Sequence, residues 1–285
     1  MLKNLFVKRK PDENKIDAKH NLCRIKTDLL WVYKDTKTPN LNFLISLYWL
    51  DINLKNALFP WTLKIERELK SLFIYFYKDF FKSDSFSFLL DENNYLTNPL
   101  YKDKITFTLY KINQLIHRKT NIDNLIFSMT FGEFVTLIIV FSDEIKKNYC
   151  EYLKIKKTVF LNLIKYCSIV RNLVAHNKTI LNIIDERNNN RFSLKKDIFN
   201  FKINKEEIDI LSTNIAGIIC GFDYLITHID FKKVPKFLDD IRKPFKTFKK
   251  FLSSNNEYKF VMKRFFLSYE KQIILYKYRN FINSK

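Results

Sequence analysis

The chain has 285 residues, of which 47% are hydrophobic, so it can bury a core as one large domain or two small ones. Its 3 Gly and 6 Pro argue against all-β sandwiches and barrels, which need frequent turns, and against a glycine-rich phosphate loop of the Rossmann type. The formal net charge of +20 suits a polyanionic partner, either nucleic acid or an anionic membrane surface. Lysine codons are frequent in AT-rich DNA, so genome composition would also account for much of the lysine.

The four cysteines are scattered and none belongs to a C-x-x-C pair, so the sequence predicts no zinc site and no other cofactor. They are Cys23, Cys150, Cys167 and Cys220, and the pattern is typical of small buried hydrophobes in a reducing compartment. The N-terminus lacks a sustained apolar stretch, and the longest apolar runs, near Leu41–Leu50 and Phe134–Phe141, are too short to cross a bilayer. We therefore expect a soluble, cytoplasmic protein without membrane contact.

Helical patterns begin after a polar, basic arm at residues 1–20 and continue through a predicted helical domain at residues 21–230. Thr38-Pro39-Asn40 predicts the start of one helix with Asn40 as its N-cap. Phe59-Pro60-Trp61 predicts the start of the next, because proline is tolerated in a first helical turn. That helix has a predicted buried stripe of Ile65, Leu69, Leu72, Phe73, Phe76 and Phe80.

The middle of the chain alternates predicted loops and helices. Residues 82–104 are rich in Ser, Asp and Asn and are predicted to form a long loop. Further helices are predicted at 105–118, 122–149, 155–176 and 205–229, and the run Asn188-Asn189-Asn190 predicts a break. A short strand pair is an open alternative around Phe192–Ile203. The fold class expected from these patterns is all-α, a helical bundle.

Residues 231–285 form a predicted C-terminal helical extension in which basic and aromatic side chains alternate. The segment holds 15 Lys and Arg against 4 Asp and Glu. Two interpretations are open: amphipathic helices with a solvated lysine face over a phenylalanine core, or a groove that neutralises phosphates and stacks bases. We favour a combination in which most rings are core and the basic face contacts RNA through Lys243, Lys246, Lys249, Lys250, Lys263 and Arg264.

The segment from Val159 to Ile184 contains the residues best suited to chemistry. Its apolar stripe covers one side of a predicted helix, and Arg171, Asn172 and His176 all lie outside that stripe. Arg171 and His176 are separated by roughly 140° around a helix with 3.6 residues per turn. They would therefore not pair within one helix, but could converge if a second copy of the helix packed against the first.

These side chains suit RNA cleavage without a metal ion. A histidine can move protons to and from the reacting oxygens, while an arginine can hold the phosphate and stabilise the charge that develops on it. Asn172 is suited to orienting either one. By spacing alone the signal is weak, and the plain structural alternative is a surface arginine with a helix-terminal histidine that interacts with the helix dipole.

Three blocks of the sequence together resemble the abortive-infection (Abi, AbiD/AbiF-like) family of the HEPN superfamily. Residues 171–176, R-N-L-V-A-H, resemble its R-N-x-x-A-H signature, a version of the HEPN R-x4-6-H motif. Leu50–Lys70 resembles its early helix ending in an I-E-R triplet, here Ile65, Glu66 and Arg67. Ile122–Ile138 resembles its middle block around a T-F-G triplet at Thr130, Phe131 and Gly132.

The resemblance covers about residues 20–230 and implies an all-α HEPN bundle that dimerises, so that two R-x4-6-H helices form one composite site. It implies a phage-defence effector or toxin that cuts RNA with Arg171, His176 and Asn172. It also implies an RNA partner, either the substrate or a small non-coding RNA that acts as antitoxin or guide. Many members continue A-H-H-x-R, whereas this chain has Asn177, so only one histidine of the motif remains.

Several residues have both a structural and a functional interpretation. Glu66 and Arg67 are candidates for orienting Arg171, whereas Glu66 and Lys70 could simply be an i,i+4 surface pair. Gly132 is expected to allow close packing or a tight turn, and His117 and His228 are expected to be structural.

Two other functional classes compete with a metal-independent ribonuclease. One is a non-catalytic RNA-binding module that uses the same fold as a scaffold. The other is a metal-dependent nuclease, for which no convincing carboxylate cluster is found. The pairs Asp239-Asp240 and Glu206-Glu207 are adjacent in sequence, so their side chains do not face each other on a helix.

Overall fold

The computed structural model describes residues 41–116, 121–181 and 215–252, together with residues 198, 205 and 208. Within these residues the chain forms eight α-helices and no β-strand, which confirms the all-α fold class. The helices are α1 (Leu41–Phe81), α2 (Lys102–Ile116), α3 (Ile122–Ser128), α4 (Phe131–Val140), α5 (Asp143–Leu153), α6 (Lys157–Ala175), α7 (Ile215–Asp230) and α8 (Val234–Phe251).

Several predictions fall outside the described residues. They concern the arm at residues 1–20, the Asn40 cap, Cys23, His117, and the basic residues Lys263 and Arg264. The possible strand pair lies there too, except for Ile198, which is buried.

Helix α1 runs without interruption through Pro60, so the predicted helix start at Phe59-Pro60-Trp61 is wrong. Proline has no amide hydrogen, and within a helix it leaves one backbone carbonyl without its usual partner. Burial of Leu58 and Trp61 on either side keeps the helix in place, because their apolar surface is withdrawn from water. The predicted stripe is buried along most of its length, but Phe80 is 45% exposed and does not belong to it.

The predicted helix at 122–149 is three helices, α3, α4 and α5, so that prediction is also wrong. Capping side chains at the starts of α4 and α5 account for the breaks. Thr130 and Glu133 form a reciprocal capping box at the start of α4, and Ser142 accepts a hydrogen bond from the Glu144 amide at the start of α5. The predicted loop after α1 contains three short 3-10 turns, at Phe86–Leu89, Glu92–Asn94 and Pro99–Tyr101.

Helix α1 is the central helix of the bundle and packs against α3, α5, α6 and α8. Helix α4 packs between α2 and α6, and α7 packs against α6 and α8. Helix α8 lies in the predicted C-terminal extension, where Phe237 packs edge-on against Trp61 of α1 with 5.4 Å between ring centroids. The indole nitrogen of Trp61 also donates a hydrogen bond to Asp240, at 3.3 Å.

Helix α6 is long and apolar enough, by length and composition alone, to cross a membrane. Half of its apolar window is already buried in the bundle, where it packs against α1, α4 and α7. The bent pair α3 and α4, at 119° to each other, passes the same test only when counted as one span. The central place of α6 in the core explains its apolar composition.

Candidate active site

The last turn of α6 places Arg171, Asn172 and His176 at one end of the bundle. Arg171 is partly buried, with 25% of its side chain exposed, whereas Asn172 and His176 are exposed. The guanidinium of Arg171 donates to the side-chain oxygen of Asn172 at 3.3 Å. Among the described residues no hydrogen bond joins the side chains of Arg171 and His176, in line with their predicted angular separation.

Helix α6 ends in a Schellman motif that fixes the backbone at His176. The Lys178 amide donates to the Leu173 carbonyl at 2.8 Å and the Asn177 amide donates to the Val174 carbonyl at 3.2 Å. Asn177 has a φ of 52°, in the left-handed region that asparagine tolerates better than most residues. The asparagine that departs from the family signature therefore occupies a position where the backbone favours it.

The segment after His176 is attached to α1 by the buried carboxylate of Asp51. One oxygen, Oδ1, accepts hydrogen bonds from the Thr179 hydroxyl at 3.0 Å and from the amides of Ile180 and Leu181 at 2.8 and 3.2 Å. The other oxygen forms a 2.7 Å ion pair with Lys55, which is itself buried. Both oxygens are thus satisfied, as a buried charge requires.

Arg171 is approached from α1 by a second acidic residue, Glu66, whose side chain is 12% exposed. The Oε2 atom of Glu66 lies 3.5 Å from Arg171 Nε, an ion pair without hydrogen-bond geometry. The Oε1 atom of Glu66 accepts a hydrogen bond from Lys70 at 2.8 Å, and Lys70 also donates to the Met129 carbonyl at 2.6 Å. Lys70 is 3% exposed, so the interpretation of Glu66 and Lys70 as a surface pair is wrong.

The middle block of the sequence reaches the same region. Met129, whose carbonyl Lys70 binds, directly precedes the Thr130 cap of α4. A Cβ added at Gly132 would lie 3.7 Å from the Ser168 hydroxyl of α6, an ordinary van der Waals distance, so α4 lies close to α6 here without requiring a glycine. The three blocks that resemble the Abi family therefore converge at the C-terminal half of α6.

The remaining predicted site residues are placed differently. Arg67 is exposed and forms no ion pair or hydrogen bond with any described residue, so its orienting role stays a prediction. On α8, Lys243 forms a 3.0 Å ion pair with Asp240. The other predicted RNA-binding lysines of α8 are exposed, namely Lys246, Lys249 and Lys250.

No group of three or more His, Cys, Asp or Glu side chains suited to a metal ion occurs in the part of the chain that the structure describes. His228 is half-buried, and its ring nitrogen lies 2.7 Å from the Leu153 carbonyl. Burial lowers the pKa of His228, because the charged imidazolium would lose hydration. These contacts fit the structural role predicted for it.

The residues that sequence analysis missed are Asp51, Lys55 and Thr179. A signal for Asp51 was present, because it lies on the same helical stripe as the buried residues Leu47, Leu54 and Leu58. A carboxylate on a buried stripe needs a partner. Lys55, four residues along α1, is a partner that the local pattern could predict. The amides of Ile180 and Leu181, more than a hundred residues further along the chain, are not encoded in that pattern.

A model of the family described as Abi-like protein matches residues 32–182 of the chain. The matched region includes α1 through α6 and all three converging blocks. Searches of curated proteins and of solved structures found no match.

Proposed function

Because the chain belongs to the Abi-like protein family, which suggests a role in abortive infection and phage defence, we propose that it is an effector or toxin that cuts RNA without a metal ion. The proposed reaction is the HEPN type of endoribonuclease cleavage. The proposed site consists of Arg171, Asn172 and His176 at the end of α6, with Glu66 orienting the arginine.

The observation that carries this proposal is the position of Arg171 between a buried and an exposed environment. Its Nε faces Glu66 in the interior, while its Nη1 faces the exposed side chain of Asn172. With Nε held near Glu66, the guanidinium of Arg171 still has N–H donors that can bind phosphate oxygens. His176 is exposed four residues beyond Asn172, on the same face of the segment.

In the proposed reaction the RNA 2′-oxygen attacks the adjacent phosphorus and the bond from phosphorus to the 5′-oxygen breaks. One imidazole accepts the proton of the 2′-hydroxyl, and a second donates a proton to the departing 5′-oxygen. The arginine stabilises the negative charge that builds up on the phosphate. The products are a 2′,3′-cyclic phosphate and a 5′-hydroxyl.

A site that uses two imidazoles needs two copies of this chain, because each copy carries one histidine in the motif. We propose a homodimer in which the exposed ends of two α6 helices meet, so that Arg171 of one copy and His176 of the other serve the same linkage. The dimer also accounts for the absence of contact between these two side chains within one copy. A small non-coding RNA, held in addition to the substrate, is the proposed regulatory partner.

The test is cleavage of RNA by purified protein in EDTA. We expect wild type to release fragments with 2′,3′-cyclic phosphate ends, and we expect Arg171→Ala and His176→Ala to lower the rate by at least about 100-fold, the scale of acid–base and charge-stabilising groups. Arg242→Ala on α8 removes the same charge elsewhere and should retain turnover at saturating RNA. If wild type binds RNA but does not cut it, the protein is instead a non-catalytic RNA-binding module.

Mixing the two inactive variants tests the composite site. A dimer of Arg171→Ala with His176→Ala has one arginine and one of the two imidazoles, and these come from different copies. Exchange of subunits should therefore restore cleavage above the rate of either variant alone but well below wild type, because the second imidazole is still missing. Light scattering should give the mass of a dimer. Absence of any recovery despite proven exchange would contradict a site in which one arginine and one histidine from different copies are sufficient.

A further inference from the structure

Helix α2 presents two aromatic rings and two lysines on one exposed face, which we call the α2 ring face: Lys104, Phe107, Tyr110 and Lys111. The rings of Phe107 and Tyr110 are 48% and 57% exposed. The Lys111 ammonium lies 5.6 Å from the Phe107 ring centroid and 6.0 Å from that of Tyr110. Single exposed rings are ordinary, but two neighbouring rings bordered by lysines form a specific surface.

A second feature of this surface is positive charge without a counter-charge. Burial, and then repulsion from Lys104, lower the pKa of Lys165 on α6. Among the described residues neither Lys104 nor Lys165 forms an ion pair with a carboxylate, whereas Lys111 lies 3.7 Å from Glu133. An anion bound near both Lys104 of α2 and Lys165 of α6 would relieve this repulsion.

The α2 ring face is connected through α4 to the helix that carries the candidate active site. Glu133, the partner of Lys111, is in the first turn of α4, next to Gly132, which packs near Ser168 of α6. Lys165 and Asn172 are seven residues apart on α6, two turns along the same side of the helix. A chain that lay on α2 and touched Lys165 would be directed along α6 toward Asn172.

We propose that the α2 ring face, with Lys165, binds single-stranded RNA and directs it to the active site. Unpaired bases stack on Phe107 and Tyr110, and a phosphate lies between Lys104 and Lys165. A duplex does not fit this chemistry, because its bases are already stacked on each other. A second copy of the chain is disfavoured as the occupant, since it would bring more lysines against an uncompensated pair. The direction toward Arg171 and His176 rests on the proposed function, whereas the binding itself does not.

The test measures binding of a 2′-O-methyl RNA 12-mer to the full chain in EDTA by fluorescence anisotropy. This RNA has no 2′-hydroxyl and cannot be cut by the proposed reaction, so binding is measured independently of catalysis. We expect Phe107→Ala/Tyr110→Ala to weaken binding by about 30-fold or more, since stacking contributes about 1–3 kcal/mol per base. The conservative exchange Phe107→Tyr/Tyr110→Phe should retain the affinity.

The matched control is Tyr75→Ala/Tyr152→Ala. These rings are 62% and 60% exposed, and both contact Phe76 on the side of the bundle formed by α1 and α5. This variant should bind within about twofold of wild type, because it removes the same kind of surface away from α2. Lys104→Gln/Lys165→Gln should weaken binding and lower the slope of log affinity against log salt by about 0.7, because one phosphate contact is lost.

Three outcomes would overturn the proposal. The first is unchanged RNA affinity of the α2 ring variant, and the second is an equal loss of affinity in the α2 ring variant and the control variant. The third is a change in oligomeric mass when the rings are removed, which would make the face an interface between copies. If the ring variant does not fold, the lysine variant decides by the same criteria. If the α2 ring variant loses RNA binding but Arg171→Ala cleaves RNA at the wild-type rate, the proposed function is refuted. The RNA-binding surface on α2 would then still be supported.

Discussion

The C-terminal end of α6 and the exposed face of α8 are both rich in cations, yet their charged side chains are held in different ways. At the end of α6, Asp51 and Glu66 are largely buried and connect α1 to residues more than a hundred positions away. On α8, Asp239 and Asp240 pair with Arg242 and Lys243, three residues along the same helix. The carboxylates of the first region join different parts of the chain, whereas those of the second form ion pairs within one helix.

This difference separates two uses of positive charge. Catalysis needs a guanidinium in a fixed place, which buried carboxylates and a defined helix end can provide. Attraction of a polyanion needs only exposed cations, and mobile lysine side chains are sufficient for it. Charges held in fixed positions therefore predict chemistry at α6, whereas the exposed lysines of α8 predict attraction of a polyanion.

The largest contrast is expected from removing one aspartate in each region. Asp51→Ala leaves Lys55 buried without its partner and three donors without an acceptor, so it should destabilise the protein by about 3–5 kcal/mol. Asp239→Ala removes an exposed partner of Arg242 and should cost less than about 0.5 kcal/mol. Urea unfolding followed by circular dichroism measures both. Equal losses would mean that the contacts of Asp51 do not stabilise the fold.

A smaller contrast is expected from replacing a lysine by methionine in each region. Lys70 is buried and binds both Glu66 and the Met129 carbonyl, so Lys70→Met should cost about 2–3 kcal/mol and leave Glu66 paired only with Arg171. Lys243→Met should change the free energy of unfolding by no more than about 0.5 kcal/mol.

Cleavage gives a second readout for the lysine pair. If Lys70 positions Arg171 through Glu66, Lys70→Met should lower the maximal rate of RNA cleavage even where the protein is fully folded. Lys243→Met should leave that rate unchanged. A variant of Lys70 that is less stable but cuts at the wild-type rate would show that its role is structural alone.

Much of the fold was predictable because helical periodicity is a local property. The helix predicted at 155–176 is α6 at Lys157–Ala175, and the one predicted at 105–118 is α2 at Lys102–Ile116. The errors arose where a local signal competed with packing. Pro60 is a typical helix start, yet buried neighbours carry α1 through it, and the apolar residues at 122–149 obscured the capping side chains of Thr130 and Ser142.

The candidate site was predictable in its parts but not in its connections. The resemblance to a family identified the blocks around Glu66, Thr130 and Arg171, and the structure brings all three together. The attachment of Asp51 to Ile180 spans 129 positions, and no periodicity relates residues at that distance. Cleavage of RNA by this site stays a prediction, because geometry supplies the positions of the groups and not the reaction.

The smallest effect on stability is expected from the basic face of α8. Lys246→Gln/Lys249→Gln/Lys250→Gln should change the free energy of unfolding by less than about 0.5 kcal/mol, because these side chains are exposed. If the face contacts RNA, the slope of log affinity against log salt should fall by about 2, since each phosphate contact contributes about 0.7 for a single strand. The maximal cleavage rate should stay unchanged, because no reacting atom is touched. An unchanged salt slope would refute RNA contact by these lysines, and a lowered maximal rate would mean that α8 takes part in the positioning assigned here to α6.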